Sequence, residues 1–117
     1  MVVKRIVANV ATPDVQGVRQ FYAELLELDL VMDLGWIATL ATNGTAPVQI
    51  SVASEGGSGT EVPNLSIEVE NVDQVYRRAK EMGCAIVYPL TEEPWGLRRF
   101  FIRDPAGTLL NILAHTN

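Results

Sequence analysis

The sequence holds one cysteine, Cys84, and one histidine, His115, in 117 residues. A lone cysteine excludes an internal disulfide framework and fits a reducing compartment. A single histidine leaves few of the donors from which catalytic zinc, iron or manganese sites draw three protein ligands. Aromatics are sparse at 7%, and Lys and Arg number 9 against 14 Asp and Glu, for a formal net charge of −5. With no clustered basic stripe, nucleic acid and anionic membranes are not expected as partners. The N-terminal Met1-Val-Val-Lys-Arg-Ile6 lacks a signal-peptide apolar block, and the uncharged stretch from 34 to 54 is interrupted by Asn43-Gly44, Pro47 and Gln49, so no membrane span is expected either. These absences point to a cytoplasmic protein of one domain with one hydrophobic core.

What is present is periodicity. Lys4 to Ala11 reads as a strand with Ile6, Ala8 and Val10 on one face and Val7, Asn9 and Ala11 on the other. Thr12 as N-cap and Pro13 at the first helical position open a helix whose stripe is Val15, Val18, Phe21, Tyr22, Leu25 and Leu26, with Phe21 and Tyr22 expected in the core. Leu30 to Met32 is a short apolar run, and Trp36 to Thr42 with Val48 to Ala53 flank the Asn43-Gly44 turn signal as a hairpin. Ser54-Glu-Gly-Gly-Ser-Gly59 reads as a flexible, solvated connector.

The second half repeats the first. Leu65, Ile67 and Val69 alternate with Asn64, Ser66 and Glu68, whose polar row would face away from the helices. Asn71 with Gln74 opens a helix striped by Val72, Val75, Ala79 and Met82 and closed by Gly83. Ala85 to Tyr88 reads as a strand, Pro89 to Pro94 as a loop, and a hairpin ends the chain. Val15 and Val72, Val18 and Val75, and Leu25 and Met82 share one offset of 57 positions, since 72 − 15 = 57. The expected class is α+β: two βαβββ modules in one domain spanning 1–117, about 1–54 and 62–117, their curved mixed sheets forming a cup with the helices on its outer face.

The last hairpin carries the candidate site. A four-residue loop, Asp104-Pro105-Ala106-Gly107, would pair Arg103 with Thr108, Ile102 with Leu109 and Phe100 with Asn111. That register lines Arg98, Phe100, Ile102, Leu109 and Asn111 along one face and Phe101, Leu110 and Ile112 along the other. An amide in an apolar row needs a partner, because leaving it unpaired costs on the order of 1 to 3 kcal/mol. Asn64 and Asn111, with Asn9 and Ser66, would orient an uncharged polar ligand group, or else bond one another or ordered water. Glu68 is a general base if burial raises its pKa, or a carboxylate paired with Arg98 or open to solvent. Trp36 and Trp95 sit near strand starts or loop mouths, where Trp95 is the better candidate to stack on a ligand and Trp36 to fill a core or a dimer contact. Arg98 is a candidate for an anionic or carbonyl group, Arg99 and Arg103 read as surface, His115 as solvent-facing or structural, and Cys84 as a small core residue.

Taken together, Phe21-Tyr22 in the first helix, Asp14 seven positions before Phe21, Trp95-Gly96, and Asp104-Pro105-x-Gly107 leading into a final strand resemble the vicinal oxygen chelate superfamily, which includes glyoxalase I, extradiol dioxygenases and bleomycin-resistance proteins. The resemblance covers essentially the whole chain. It implies paired βαβββ modules and, in the enzymes, a divalent metal held by His, Gln or Glu. At the positions it matches, this chain has Val7, Asn64 and Asn111, with Gln49, Ser51 and Ser54 as nearby polar choices for a fourth. None of the three is a good ligand, so no metal and no other cofactor is expected. Three functions follow from this reading. The first is metal-free sequestration of an aromatic or heteroaromatic small molecule at Val7, Asn9, Trp36, Asn64, Ser66, Glu68, Trp95, Arg98, Phe100 and Asn111. The alternatives are a lyase, isomerase or dioxygenase-type enzyme using unconventional metal ligands or an acid–base Glu68, and an interaction module whose cup is closed by a partner. Open sheet edges make a homodimer the expected assembly.

Overall fold

A computed structural model describes residues 2–42 and 48–116. The expected Asn43-Gly44 turn lies outside the described residues. The chain runs β1 (Val3–Ala11), α1 (Val15–Leu26), β2 (Asp29–Asp33), β3 (Ile37–Ala41), β4 (Gln49–Ala53), β5 (Leu65–Val69), α2 (Val72–Glu81), β6 (Ile86–Glu93), β7 (Leu97–Arg103) and β8 (Leu109–His115). This is α+β, with the βαβββ order twice over, and the helices begin at Val15 and Val72, in keeping with the sequence repeat. Its contacts group into two units: Val7–Val62, and the residues up to Ile6 together with those from Pro63 onward. β1 is divided between them.

In the unit Val7–Val62 the strand order is β2-β3-β4-β1, with β1 parallel to β4 and the other pairs antiparallel. Val10, Val52 and Ala38 lie in register and meet Val15, Val18 and Tyr22 of α1. The opposite face aligns Asn9, Ser51 and Thr39, where the two hydroxyls share a buried hydrogen bond of 2.7 Å. Helical geometry explains a departure from expectation: Val15, Val18 and Tyr22 come onto the sheet, while Phe21 and Leu25 are turned to the flank, 57% and 63% exposed. Phe21 is therefore not core, and its ring meets the edge of Tyr22 instead. The helix also starts later than Thr12. Asp14 is the N-cap, its carboxylate accepting from the Gly17 N–H at 3.0 Å, and Thr12 Oγ1 accepts from the Asp14 N–H.

The connector is not an open tether. Gly56 and Gly57 are buried, the Gly56 N–H donates to the Thr60 carbonyl at 2.8 Å, and the Thr60 N–H returns to Gly57. Gly57, Ser58 and Gly59 all have positive φ, and a Cβ on Gly56 would lie 2.2 Å from the Glu61 carbonyl oxygen. Glycine is there for close approach and left-handed backbone as much as for flexibility.

In the other unit the order is β5-β8-β7-β6, with β5 parallel to β8 and the start of β1 bordering β5, where the Glu70 N–H donates to the Val2 carbonyl. Asn71 caps α2 by accepting from the Gln74 N–H, and Gly83, at φ +77, ends it, both as the sequence pattern predicts. Val69, Val72, Ala79, Phe100 and Ile112 form the core under α2, with Cys84 packed against it. Met82, placed in the helix stripe by periodicity, is 71% exposed.

Candidate functional site

The final hairpin sets the site, and its register differs from expectation by one residue. Asp104 Oδ1 accepts from both the Ala106 and Thr108 N–H groups at 2.9 Å, and the Asp104 N–H donates to the Thr108 carbonyl. Thr108 is thereby drawn into the loop, and Arg103 pairs with Leu109, Ile102 with Leu110, Phe101 with Asn111 and Phe100 with Ile112. A one-residue slip changes which side chains share a face. Phe100 belongs to the core under α2, not to the row of Asn111. Arg98 leaves that row too: it forms a two-nitrogen hydrogen bond with Asp73 of α2, at 3.1 and 2.8 Å, and this raises its pKa.

The face away from α2 therefore carries Asn64, Ser66 and Glu68 beside β5, Leu109, Asn111, Leu113 and His115 on β8, and Arg99 and Phe101 on β7. The polar row of β5 faces away from the helix, as its alternation predicts. Asn64 Oδ1 accepts from the Leu109 N–H at 2.8 Å, so this amide anchors backbone. Asn111 is only 6% exposed; its Nδ2 donates to Ser66 Oγ at 3.1 Å, and its Oδ1 is buried with no hydrogen-bond partner among the described residues.

Two charged clusters flank the amide, and neither was foreseen. Arg99 and Glu93 form an ion pair in which both side chains are 3% exposed, Arg99 Nε to Glu93 Oε2 at 2.7 Å. The Tyr88 hydroxyl donates to the same oxygen, and the guanidinium lies 4.7 Å from the Phe101 ring centroid, 5.1 Å from that of Trp95 and 5.3 Å from that of Tyr88. Arg99 is thus interior, not surface. The signal that could have found it is the turn Pro94-Trp95-Gly96, closed by the Gly96 N–H on the Glu93 carbonyl. Reading Pro89 to Pro94 as a loop hid strand β6, which accommodates Pro89 where its register shifts between Tyr88 and Thr91.

The second cluster joins three strands. Glu68 Oε1 accepts from Arg5 Nε at 2.6 Å and Oε2 bonds His115 Nδ1 at 2.9 Å. Burial pushes the Glu68 carboxyl up, but the hydrogen bond from His115 and the charge of Arg5 outweigh it and hold the group below its ordinary value. Glu68 is not the raised-pKa base that the sequence allowed, and its partners are Arg5 and His115 in place of Arg98. In the other unit, Val7 is buried and Asn9 lies opposite Ser51 on the face away from α1. The Trp36 carbonyl accepts from the Ser54 N–H.

The residues at the resemblance's metal positions do not fit a transition metal: Val7 has no donor atom, the Asn64 oxygen is taken by backbone, and Asn111 is a neutral amide. Among the described residues no three His, Cys, Asp or Glu side chains converge as a metal site. An open hollow of about 570 Å³ lined by Gln74, Arg77, Arg78 and Glu81 is the solvated outer side of α2, remote in character from the amide face.

A sequence model of the Glyoxalase/Bleomycin resistance protein/Dioxygenase superfamily matches residues 4–112. The chain belongs to this superfamily. No curated protein matches it in sequence. Among solved structures it is similar to an NAD-dependent benzaldehyde dehydrogenase from Legionella pneumophila, at 18% identity and TM-score 0.76, covering 95% of this chain and 99% of that one. It is similar also to a superfamily member from Vibrio splendidus 12B01, at 18% and 0.68, covering 97% and 99%. A methylmalonyl-CoA epimerase from Streptomyces coelicolor matches at 17% and 0.70, covering 97% and 96%. At these identities the likeness is one of fold, and the superfamily's chemistry must be argued from the residues.

Proposed function

We propose that this superfamily member is a metal-free small-molecule binding protein that sequesters an uncharged aromatic or heteroaromatic compound, with Asn111, Ser66 and Trp95 among the residues that meet it. The observation that carries the reading is the buried, unpartnered Asn111 Oδ1 on the face away from α2. An unmet buried acceptor is costly, and a ligand that supplies its hydrogen bond recovers that cost. Trp95, half-buried and packed against Arg99 on the same hairpin, supplies an aromatic ring with area still open to a ligand. A drug-sized ligand of roughly 30 heavy atoms, at about 0.3 kcal/mol per atom, would be held at about −9 kcal/mol by burial and stacking alone.

The enzymatic reading is less well supported, because a Glu68 held below its ordinary pKa is a weak base at neutral pH. We also propose a cytoplasmic homodimer. Exposed Phe21, Leu25, Leu26, Leu30 and Val31 support a second subunit, and among the described residues no helix is long and apolar enough to cross a membrane. The test is metal analysis of protein purified without added metal or chelator, then fluorescence titration with aromatic compounds, with Trp95→Phe as control and sedimentation for assembly. The expected result is no stoichiometric Zn, Mn, Fe, Co or Ni and saturable quenching of Trp95. Near-stoichiometric metal would overturn the metal-free reading.

A further inference from the structure

We infer that His115, oriented by Glu68, is a nucleophile with which this face hydrolyses aryl esters; the aryl part rests on the aromatic-binding reading above, and the ester chemistry goes beyond it. Glu68 Oε1 accepts from Arg5 Nε, and Glu68 Oε2 lies 2.9 Å from His115 Nδ1. An ionised carboxylate accepts hydrogen bonds and has no hydrogen to give, so the hydrogen of the second bond sits on Nδ1. In the neutral imidazole the other nitrogen, Nε2, then carries a lone pair directed away from the carboxylate. The Glu68 side chain is 13% exposed and that of His115 45%, so the orienting bond is sheltered while the ring stays open to a substrate. A carboxylate that fixes the tautomer of an imidazole is a recurring way to hold it ready for reaction. Glu68 is therefore a positioning residue and not itself the base, in keeping with a carboxyl held below its ordinary pKa.

The substrate class follows from what stands beside the ring. His115 pairs with Leu97 of β7, and the N–H of the next residue, Thr116, donates to the Gly96 carbonyl at 3.0 Å. The turn Pro94-Trp95-Gly96 is thereby fastened to the strand end that bears His115, with half-buried Trp95 stacked on Arg99 of the same face. A ring laid on Trp95 and an electrophilic carbon at Nε2 are the two parts of an aryl ester. In the first step Nε2 bonds to the carbonyl carbon, and the bond from that carbon to the aryl oxygen breaks with its electron pair on oxygen. Water then attacks the acyl-imidazole, the carboxylic acid leaves, Nε2 regains its lone pair, and the departing phenolate takes up the proton that hydrolysis releases. A phenolate leaves without the general acid that an amine would need, so one imidazole suffices.

The experiment follows p-nitrophenolate release from p-nitrophenyl acetate. The protein should act saturably and about a hundredfold faster than an equal concentration of free imidazole, and His115→Gln should remove that excess. In Glu68→Gln, Arg5 holds the amide oxygen, so the amide nitrogen donates to His115 Nδ1 and moves the ring hydrogen onto Nε2. Proton–nitrogen NMR of the His115 ring should report that change of tautomer, which a merely structural role for Glu68 would not produce, and kcat should fall at least about tenfold with KM unchanged. Trp95→Leu should raise KM and keep kcat. Release no faster than with free imidazole, or unaffected by His115→Gln, would overturn the proposal; so would a ring hydrogen found on Nε2 in the unmodified protein. Quenching of Trp95 by the ester without turnover would leave aromatic binding standing. An ester that neither quenches Trp95 nor turns over, up to its solubility, would overturn the binding reading together with this one.

Discussion

Arg99 shows how much one side chain can organise. Its guanidinium is packed against three rings and bonded to Glu93, with both partners almost wholly removed from water. Removing one member of a buried pair leaves the other uncompensated, so Arg99→Met should destabilise the fold by about 3 to 5 kcal/mol in urea denaturation. The double substitution Arg99→Met with Glu93→Leu should recover most of that loss, because two apolar groups need no counterion. Near-additive losses from Arg99→Met and Glu93→Leu alone would show that the two groups are not coupled. Asn111 is the converse case, a buried amide whose oxygen finds no partner among the described residues. The need for a partner was readable from its place in an apolar row. Its face, shared with Asn64 and Ser66, was readable too; which β7 residues stand beside it was not, because the Asp104 side chain closes one more residue into the loop than the turn signal suggests.

At the scale of elements, the alternation of β1 and β5, the helix starts near Val15 and Val72, and the Asn71 cap were all readable, since each depends on short-range period and local hydrogen bonding. What failed depended on geometry that period does not encode. The exposure of Phe21 and Leu25 depends on how far the sheet extends beneath α1, and β6 was obscured by prolines. The N-cap of α1 offers a quantitative check. Asp14→Ala should cost about 1 kcal/mol by losing the bond to the Gly17 N–H. Gly17→Ala is more instructive: its Cβ would come within 2.2 Å of Asp14 Oδ2 and displace the cap. Helix propensity favours Ala over Gly by about 0.8 to 1 kcal/mol, so the two effects should nearly cancel. A thermal midpoint well above that of the unmodified protein would mean that the cap survives the added methyl.

For the whole molecule, Glu68 ties stability to acid. Its folded pKa lies below the ordinary 4.5, so the native state favours the ionised form. The stabilisation is fully present above about pH 4.5, falls as pH drops through the lower folded value, and is absent below it. Glu68→Gln should therefore flatten the acid limb of stability against pH below the ordinary carboxylate value of 4.5, with little change in slope near neutrality. An acid limb as steep in Glu68→Gln as in the unmodified protein would assign that limb to other carboxylates. No single spacing in the sequence announces this cluster, because Arg5, Glu68 and His115 meet only through strand order.

The division of β1 also has a kinetic consequence. One unit is a continuous segment, Val7–Val62, while the other must join residues before it to residues after it, through contacts such as Arg5 with Glu68, 63 positions apart. Closing so long a loop is entropically costly when the intervening chain is loose, and less so once that chain has collapsed. The inserted segment should therefore gain structure first and act as a short rigid spacer for the rest. Pulsed hydrogen exchange during refolding should find the amides of Ala38 and Val52 protected before that of Glu70. The reverse order would mean that the outer segments meet first, across a chain still unstructured between them.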